Sequence, residues 1–206
     1  MFELKIDILS YWLAGTGRGS SGSYDEKPLV DEHGIPYIPG KHLKGLLKEG
    51  LRSWESITNT HTNANNDAHT QCFGTDPDSN ETASGALRVS SATFEPAIYN
   101  DLKENKKRIS KLFRELSSTA IDENGVAKNK SLRTLQVVIP VKLTAQIGWE
   151  STSPYANDEL KKEIKNHLEH ATAMLPAIGS KRTRGLGRCR ISITETELAN
   201  GGETNV

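Results

Sequence analysis

Residues 35–52 read IPYIPGKHLKGLLKEGLR. Pro36 and Pro39 hold the start of this stretch extended, because proline fixes φ and keeps the preceding residue out of the helical region, and Gly40 ends the run. A helical pattern then begins. Leu43, Leu46, Leu47, Leu51 and Trp54 recur at three- and four-residue spacing and share one face. Lys41, Lys44 and Lys48 fall on other faces. The first turn is therefore apolar on one side and cationic on the other, and its free N–H groups and dipole favour an anion. An ordinary amphipathic surface helix shares much of this pattern. The Pro-Gly-x-x-Leu-Lys-Gly string sets this one apart.

A second cationic element lies far downstream. Gly179–Arg190, GSKRTRGLGRCR, holds Lys181, Arg182, Arg184, Arg188 and Arg190 with no acid, and Thr183 lies among them. Gly179, Gly185 and Gly187 are threaded through it. Glycine permits positive φ and close backbone approach, and arginine offers a planar fork of donors matched to phosphate oxygens. The loop follows a helical segment and precedes an apolar run that starts at Ile191 and reads as a strand.

The remaining elements follow from periodicity. Phe2, Leu4, Ile6 and Ile8 alternate with Glu3, Lys5 and Asp7, which predicts a half-buried strand over 2–10. Residues 58–84 are rich in Asn, Thr, Asp and Ser and predict a long exposed, flexible insertion. A strand is expected near 86–94, and a basic helix over 103–116 with Leu102, Ile109, Leu112, Phe113 and Leu116 on its apolar side. Residues 118–133 form a polar excursion, and 135–149 an apolar run expected to be one strand near the sheet centre. Asn157 or Asp158 caps a second long helix with Leu160, Ile164, Leu168, Ala171 and Leu175 facing inward. The order β-α-β then β-α-β predicts one α+β domain over 1–206. It has a ferredoxin-like (RRM-like) palm, long loop insertions, a thumb-like excursion and a flexible acidic tail over about 195–206.

Composition bounds the function. At 206 residues the chain buries a real core as one domain. The formal net charge is zero, so bulk charge gives no support for nucleic-acid binding, yet charge is segregated into the basic loop. No apolar run approaches the roughly 20 residues of a membrane span. The chain opens directly on a strand pattern and has two cysteines, so a cytoplasmic location and no membrane partner are expected. Cys72 lies near His61 and His69, but no Cys-x-x-Cys pair supports zinc. Gly15–Gly22, GTGRGSSG, lacks the Gly-Lys-Ser/Thr ending of a P-loop; with Arg18 it fits an RNA-backbone loop better.

Together these elements resemble the RAMP superfamily of CRISPR-associated proteins. That family's strand–loop–helix reads roughly (I/L)PGSSLKGxxR, and Ile38–Arg52 gives IPGKHLKGLLKEGLR. Its glycine-rich loop is matched by Ile178–Arg188, its G-x-(L/I)-x-(F/V)-x-D-A strand by Gly85–Phe94, and the thumb of type III backbone subunits by Ser118–Thr134. The resemblance spans about residues 2–194. It implies a guide-RNA-binding backbone (Cas-seven-type) subunit of a type III effector complex, with guide RNA, complementary target RNA, copies of itself and other effector subunits as partners. It also implies roles for residues. Arg18, Lys41, His42, Lys44, Arg52, Arg133, Lys181, Arg182, Thr183, Arg184 and Arg188 would hold RNA, and Ile121 would wedge between bases. Asp25, in a stretch similar to the family's D-x-P-(V/L)-(I/V), would be the catalytic carboxylate. It would orient a Mg²⁺ or Mn²⁺ ion for target-RNA cutting, with Glu26 and Asp31 as competitors for the role. Two alternatives stay open. His33 and His42 could act as base and acid of a metal-independent guide-RNA-processing endoribonuclease. The subunit could also hold RNA without cutting.

Overall fold

The computed structural model describes residues 1–15, 24–60, 67–76 and 82–196. Arg18 and most of the GTGRGSSG stretch lie outside these, as do His61 and the end of the acidic tail. Strands β1 (Phe2–Ile8), β2 (Leu87–Val89), β5 (Lys142–Trp149) and β6 (Cys189–Glu195) form an antiparallel sheet in the order β2-β5-β1-β6. This is the ferredoxin-like order expected from the sequence. Leu4, Ile6 and Ile8 of β1 and Leu143, Ala145 and Ile147 of β5 are buried, whereas Lys5 and Lys142 are exposed on the opposite face. The period of two therefore decides which face meets the helices.

Helix α1 (Gly40–Thr58) and helix α5 (Asp158–Ala173) pack on each other over that buried face. Leu43, Leu46, Leu47 and Leu51 of α1 meet Leu160, Ile164, Leu168 and Ala171 of α5 in one core. Burying each leucine stabilises by about 1.5–3 kcal/mol. Asn157 caps α5 as expected, its Oδ1 accepting the Leu160 N–H at 2.8 Å.

Three expectations need correction. The segment 58–84 contains a helix, α2 (Ala68–Phe73), with Cys72, Phe73 and His69 buried. It is anchored by His69, whose Nδ1 lies 2.5 Å from Glu55 Oε2 and whose backbone N–H donates to Glu55 Oε1. The basic helix expected over 103–116 is instead two short helices, α3 (Pro96–Glu104) and α4 (Lys106–Ser110), broken at Asn105 and followed by strand β3 (Phe113–Ser118). Leu112, Phe113 and Leu116 have helical spacing, but pairing with the next strand overrides it. The run 135–149 is two strands in two sheets. Strand β4 (Arg133–Val138) pairs with β3, and the chain leaves that ribbon at Pro140 to enter β5.

The β3–β4 ribbon is the thumb-like excursion. Its ladder runs from Phe113↔Val138 to Ser118↔Arg133, and its tip is an Asp122–Gly125 turn in which Asp122 Oδ1 accepts the N–H groups of Asn124 and Val126. Ile121, Val126 and Leu132 stand exposed near the tip. The root is tied to the palm, where Trp12 pairs with Val138 and its Nε1 donates to the Ile139 carbonyl at 3.1 Å.

Candidate RNA-binding site

Tertiary structure brings the two cationic elements together. His42, on the first turn of α1, has Arg182 of the glycine-rich loop as a charged neighbour. Further along α1, a cavity of about 580 Å³ against the same loop is lined by Glu49, Gly50, Ser53, Lys181, Arg182 and Thr183, among others. On the other flank of the same turn, Lys41 and Lys44 share a cavity with Arg88, Ser90 and Gln146. Burial and the charges of Lys48 and Arg88 hold the Lys44 ammonium below its usual range. Arg88 and Lys48 are already paired, with Glu150 and Asp76, whereas among the described residues no ion pair holds Lys41 or Lys44.

The three glycines of the loop serve different ends. Gly187 has φ +70°, and a Cβ there would overlap the Ile178 carbonyl oxygen. The Gly187 N–H donates to Tyr11 and its carbonyl accepts from Ile178 N–H at 2.9 Å, so this glycine closes the loop against the palm. Gly179, at φ +85°, would bring a Cβ 2.6 Å from the Leu13 carbonyl. Gly185 has φ +82° with open space around it, and it alone of the three faces outward unencumbered. Two of the glycines thus answer to internal packing rather than to approach of an anion.

The loop cations divide likewise. Lys181, in the left-handed region at φ 56°, reaches Glu26 Oε1 at 2.6 Å, and Arg182 reaches Glu49 Oε2 at 3.1 Å. Arg184 and Arg188 are exposed, and no ion pair holds them among the described residues. Arg52 is not brought to this site. Its neighbours Gly50 and Ser53 line the cavity against the loop, but Arg52 turns to another face of α1. There it joins Lys48 in holding the Asp76 carboxylate, whose pKa these two partners lower to about 2.

Asp25 sits beside the outer end of the β3–β4 ladder, where Thr134 pairs with Ser117. Its backbone N–H donates to the Thr134 carbonyl at 2.8 Å, and its Oδ2 accepts the Thr134 N–H at 2.6 Å. Glu26 bridges to Leu135 in β4 and is held by Lys181. The two acids therefore link three things: the ribbon, the glycine-rich loop and the exposed Asp25 carboxylate. Asp31 is otherwise engaged. Burial pushes its carboxyl upward, but the Tyr99 hydroxyl (2.6 Å) and the N–H groups of Ile35 and His33 outweigh that and hold it below the usual range. Of the three candidate acids, Asp25 alone is exposed, and among the described residues no ion pair holds it.

Among the described residues no group of three or more His, Cys, Asp or Glu is placed to hold a metal ion. A Mg²⁺-type ion commonly takes one or two carboxylates and completes its shell with phosphates and water, and the single Asp25 carboxylate fits that mode. Zinc is not supported at Cys72. Burial, with the Glu55 carboxylate nearby, pushes its thiol up to about 12, and His69 is committed to Glu55.

The two histidines face different neighbours. His33 lies edge-on to Tyr99 and near Glu32. Among the described residues His42 Nε2 is buried with no hydrogen-bond partner, and burial together with the Arg182 charge keeps this imidazole below its usual pKa. Ile121 and Arg133 both lie on the ribbon, Ile121 64% exposed. The contribution of Glu26 and Glu49 as partners of the loop was missed by sequence reasoning. They lie 155 and 133 residues from the cations they hold, and no local pattern announces such pairs.

Comparison with known proteins agrees with this architecture. The family model described as the RAMP superfamily matches residues 5–190. No curated protein matches the chain. Among solved structures, a chain of the type III-B Cmr-beta complex bound to cognate target RNA superposes with TM-score 0.68 at 12% identity, over 94% of this chain and 97% of that one. The apo state of Cmr-beta gives 0.65 at 13% identity, over 94% and 97%. A type IV-B CRISPR complex chain gives 0.58 at 15% identity, over 100% and 94%. Among the described residues no helix is long and apolar enough to cross a membrane.

Proposed function

Since this chain belongs to the RAMP superfamily, we propose that it is a guide-RNA-binding backbone subunit of a type III CRISPR ribonucleoprotein and that it cuts complementary target RNA. The observation that favours this reading is the convergence, across some 140 residues of sequence, of the α1 first turn and the glycine-rich loop into one cationic surface beside the ribbon root. Phosphate contacts give affinity without sequence preference, which suits a subunit that must carry any guide. In this reading Lys41, Lys44, Arg184 and Arg188 meet guide phosphates first, and Lys181 and Arg182 join when RNA displaces Glu26 and Glu49. Thr183 and the outward-facing Gly185 let the backbone follow the strand.

The ribbon crosses the guide–target duplex, with Ile121 entering a base step and Arg133 steadying a phosphate. Asp25 stands beside that ribbon where the ladder gives way to the tip, next to the displaced nucleotide. A Mg²⁺ or Mn²⁺ ion bound there supplies charge neutralisation at the scissile phosphate. The adjacent ribose 2′-oxygen attacks phosphorus, its proton passes to water, and the P–O5′ bond breaks, leaving a 2′,3′-cyclic phosphate and a 5′-oxygen that takes a proton from water. Thr134 N–H holds the Asp25 carboxylate in one orientation throughout. Guide RNA, target RNA, further copies of the chain and other effector subunits are the partners of this reading.

Asp25→Asn tests it. The amide keeps an acceptor for Thr134 but loses the charge, so Mg²⁺-dependent cutting of a complementary RNA falls at least a hundredfold while guide and target binding stay within about twofold. Wild-type cutting by Asp25→Asn leaves the subunit a holder or moves the role to Glu26, which the double variant separates. Chelator-resistant cutting lost in His33→Ala or His42→Ala establishes the guide-processing reading instead.

A further inference from the structure

An aromatic cavity of about 420 Å³ opens beside the cationic turn and is used neither by the phosphate-binding surface nor by Asp25. Its walls are the rings of Tyr37, Phe94 and Tyr99, and Asp31, Ser91 and Asn100 stand around them. Local pairing builds it. The Val30↔Pro36 and Ile38↔Ala92 bridges turn Tyr37 away from the buried Ile38. Tyr99 is held by its hydroxyl on Asp31 Oδ2. Phe94 is buried, whereas Tyr37 and Tyr99 are half-buried and leave ring surface open.

The cavity adjoins the α1 turn through one strand. Ser90 lines the cavity of Lys41 and Lys44, and its neighbour Ser91 lines the aromatic one. The Ser91 hydroxyl also accepts the Gly40 N–H, the first of α1, at 3.2 Å. The aromatic cavity therefore neighbours the one at which Lys41 and Lys44 stand.

We propose that this cavity receives an unstacked base of the RNA held at the α1 turn; the proposal rests on the RNA-binding reading above. Single-stranded RNA is recognised by splaying bases onto aromatic rings and meeting their edges with polar groups. The rings here supply stacking surface. The Asn100 amide offers a donor and an acceptor, and the Asp31 carboxylate, fixed by three donors, offers a further acceptor. The amide's two-way capacity accepts more than one base, in keeping with a site that must tolerate any sequence. The polar rim and the adjoining lysines favour a nucleotide over an apolar segment such as the exposed Ile121–Val126 tip of a second copy.

The experiment is photocrosslinking of the full chain to single-stranded RNA carrying 5-iodouridine, with the adducts mapped by mass spectrometry. Adducts at Tyr37, Phe94 or Tyr99 are expected. In titrations against the same RNA, Tyr37→Ala loses roughly fivefold to a hundredfold in affinity, the range seen when stacking rings are removed, and Tyr37→Phe stays near wild type. If RNA binds the wild type but adducts fall only elsewhere and Tyr37→Ala binds normally, the base site is wrong and the RNA reading survives. If the wild type binds no RNA, both fall. If Tyr37→Ala weakens self-association while RNA affinity is unchanged, the cavity is a protein-docking site and the proposal is overturned. Because the crosslink map uses wild-type protein, misfolding of Tyr37→Ala leaves the test intact.

Discussion

Replacing Gly187 by alanine separates loop closure from loop chemistry. At φ +70° an L-residue costs about 1–2 kcal/mol. The added Cβ would also lie well inside 3.0 Å of the Ile178 carbonyl oxygen, and backbone cannot swing aside as a side-chain tip can. Forced overpacking of this kind costs about 1–3 kcal/mol, and the strained Ile178 N–H to Gly187 carbonyl bond another ~1 kcal/mol. The sum is roughly 3–6 kcal/mol, a large share of the 5–15 kcal/mol typical of a domain. Gly185→Ala is the control. Its φ of +82° carries the same backbone cost, but nothing lies within 4 Å of the new methyl, so about 1–2 kcal/mol is expected. With a urea slope of about 2 kcal/mol/M, the midpoint falls by about 1.5–3 M for Gly187→Ala and about 0.5–1 M for Gly185→Ala. Tryptophan fluorescence reads the transition, because Trp12 is fully buried and its neighbours Tyr11 and Leu13 receive the loop's hydrogen bonds. Equal midpoints for the two variants, or a Gly187→Ala midpoint within 0.3 M of wild type, would refute the packing role assigned to Gly187.

Glu49→Gln and Glu26→Gln free Arg182 and Lys181, so single-stranded RNA affinity rises, by up to about fivefold given the modest strength of exposed pairs; a fall would show that the acids position the loop rather than restrain it. Lys44→Ala lowers affinity and reduces the salt slope by about 1, whereas Arg52→Ala changes neither and lowers stability by under ~1 kcal/mol, because Arg52 is committed to Asp76. His42 and His167 are both held below the usual imidazole range, chiefly by burial. The unfolded chain therefore binds protons that the folded one resists, so this contribution to stability is full above about pH 6.5 and is lost as pH falls. Urea midpoints measured from pH 7.5 to 5.5 decline accordingly, and a His42→Gln, His167→Gln double variant flattens the decline; an unchanged slope contradicts the assignment.

Much of the palm was legible before any coordinates. The alternation of Phe2–Ile8, the leucine spacing of Leu43–Leu51 and the Asn157 cap are local signals, and each produced the element it predicts. The failures share one cause. Leu112, Phe113 and Leu116 satisfy helical spacing, yet Phe113↔Val138 and Leu116↔Leu135 pairing decides for a strand. Ala68–Phe73 is short and set in a polar stretch, and it is anchored as a helix where Glu55, fourteen residues earlier, receives His69 and where Cys72 and Phe73 enter the core. The site divided the same way. The cationic residues were visible as motifs, but two of the three loop glycines proved to close the loop, and Arg52 proved to serve Asp76.

The sequence by itself determined the palm's elements, the cationic character of the α1 turn and of Gly179–Arg190, and the family those two elements point to, because periodicity, capping and charge act between residues a few positions apart. Only the tertiary structure decided which cations are restrained and which stand open, that Asp25 is clamped to the ribbon by Thr134, and that an aromatic cavity adjoins the lysines of α1. Those outcomes depend on contacts such as Glu26–Lys181 and Asp25–Thr134, between residues more than a hundred positions apart. Such contacts form only when the whole sheet fixes both partners in space, and no local pattern encodes them.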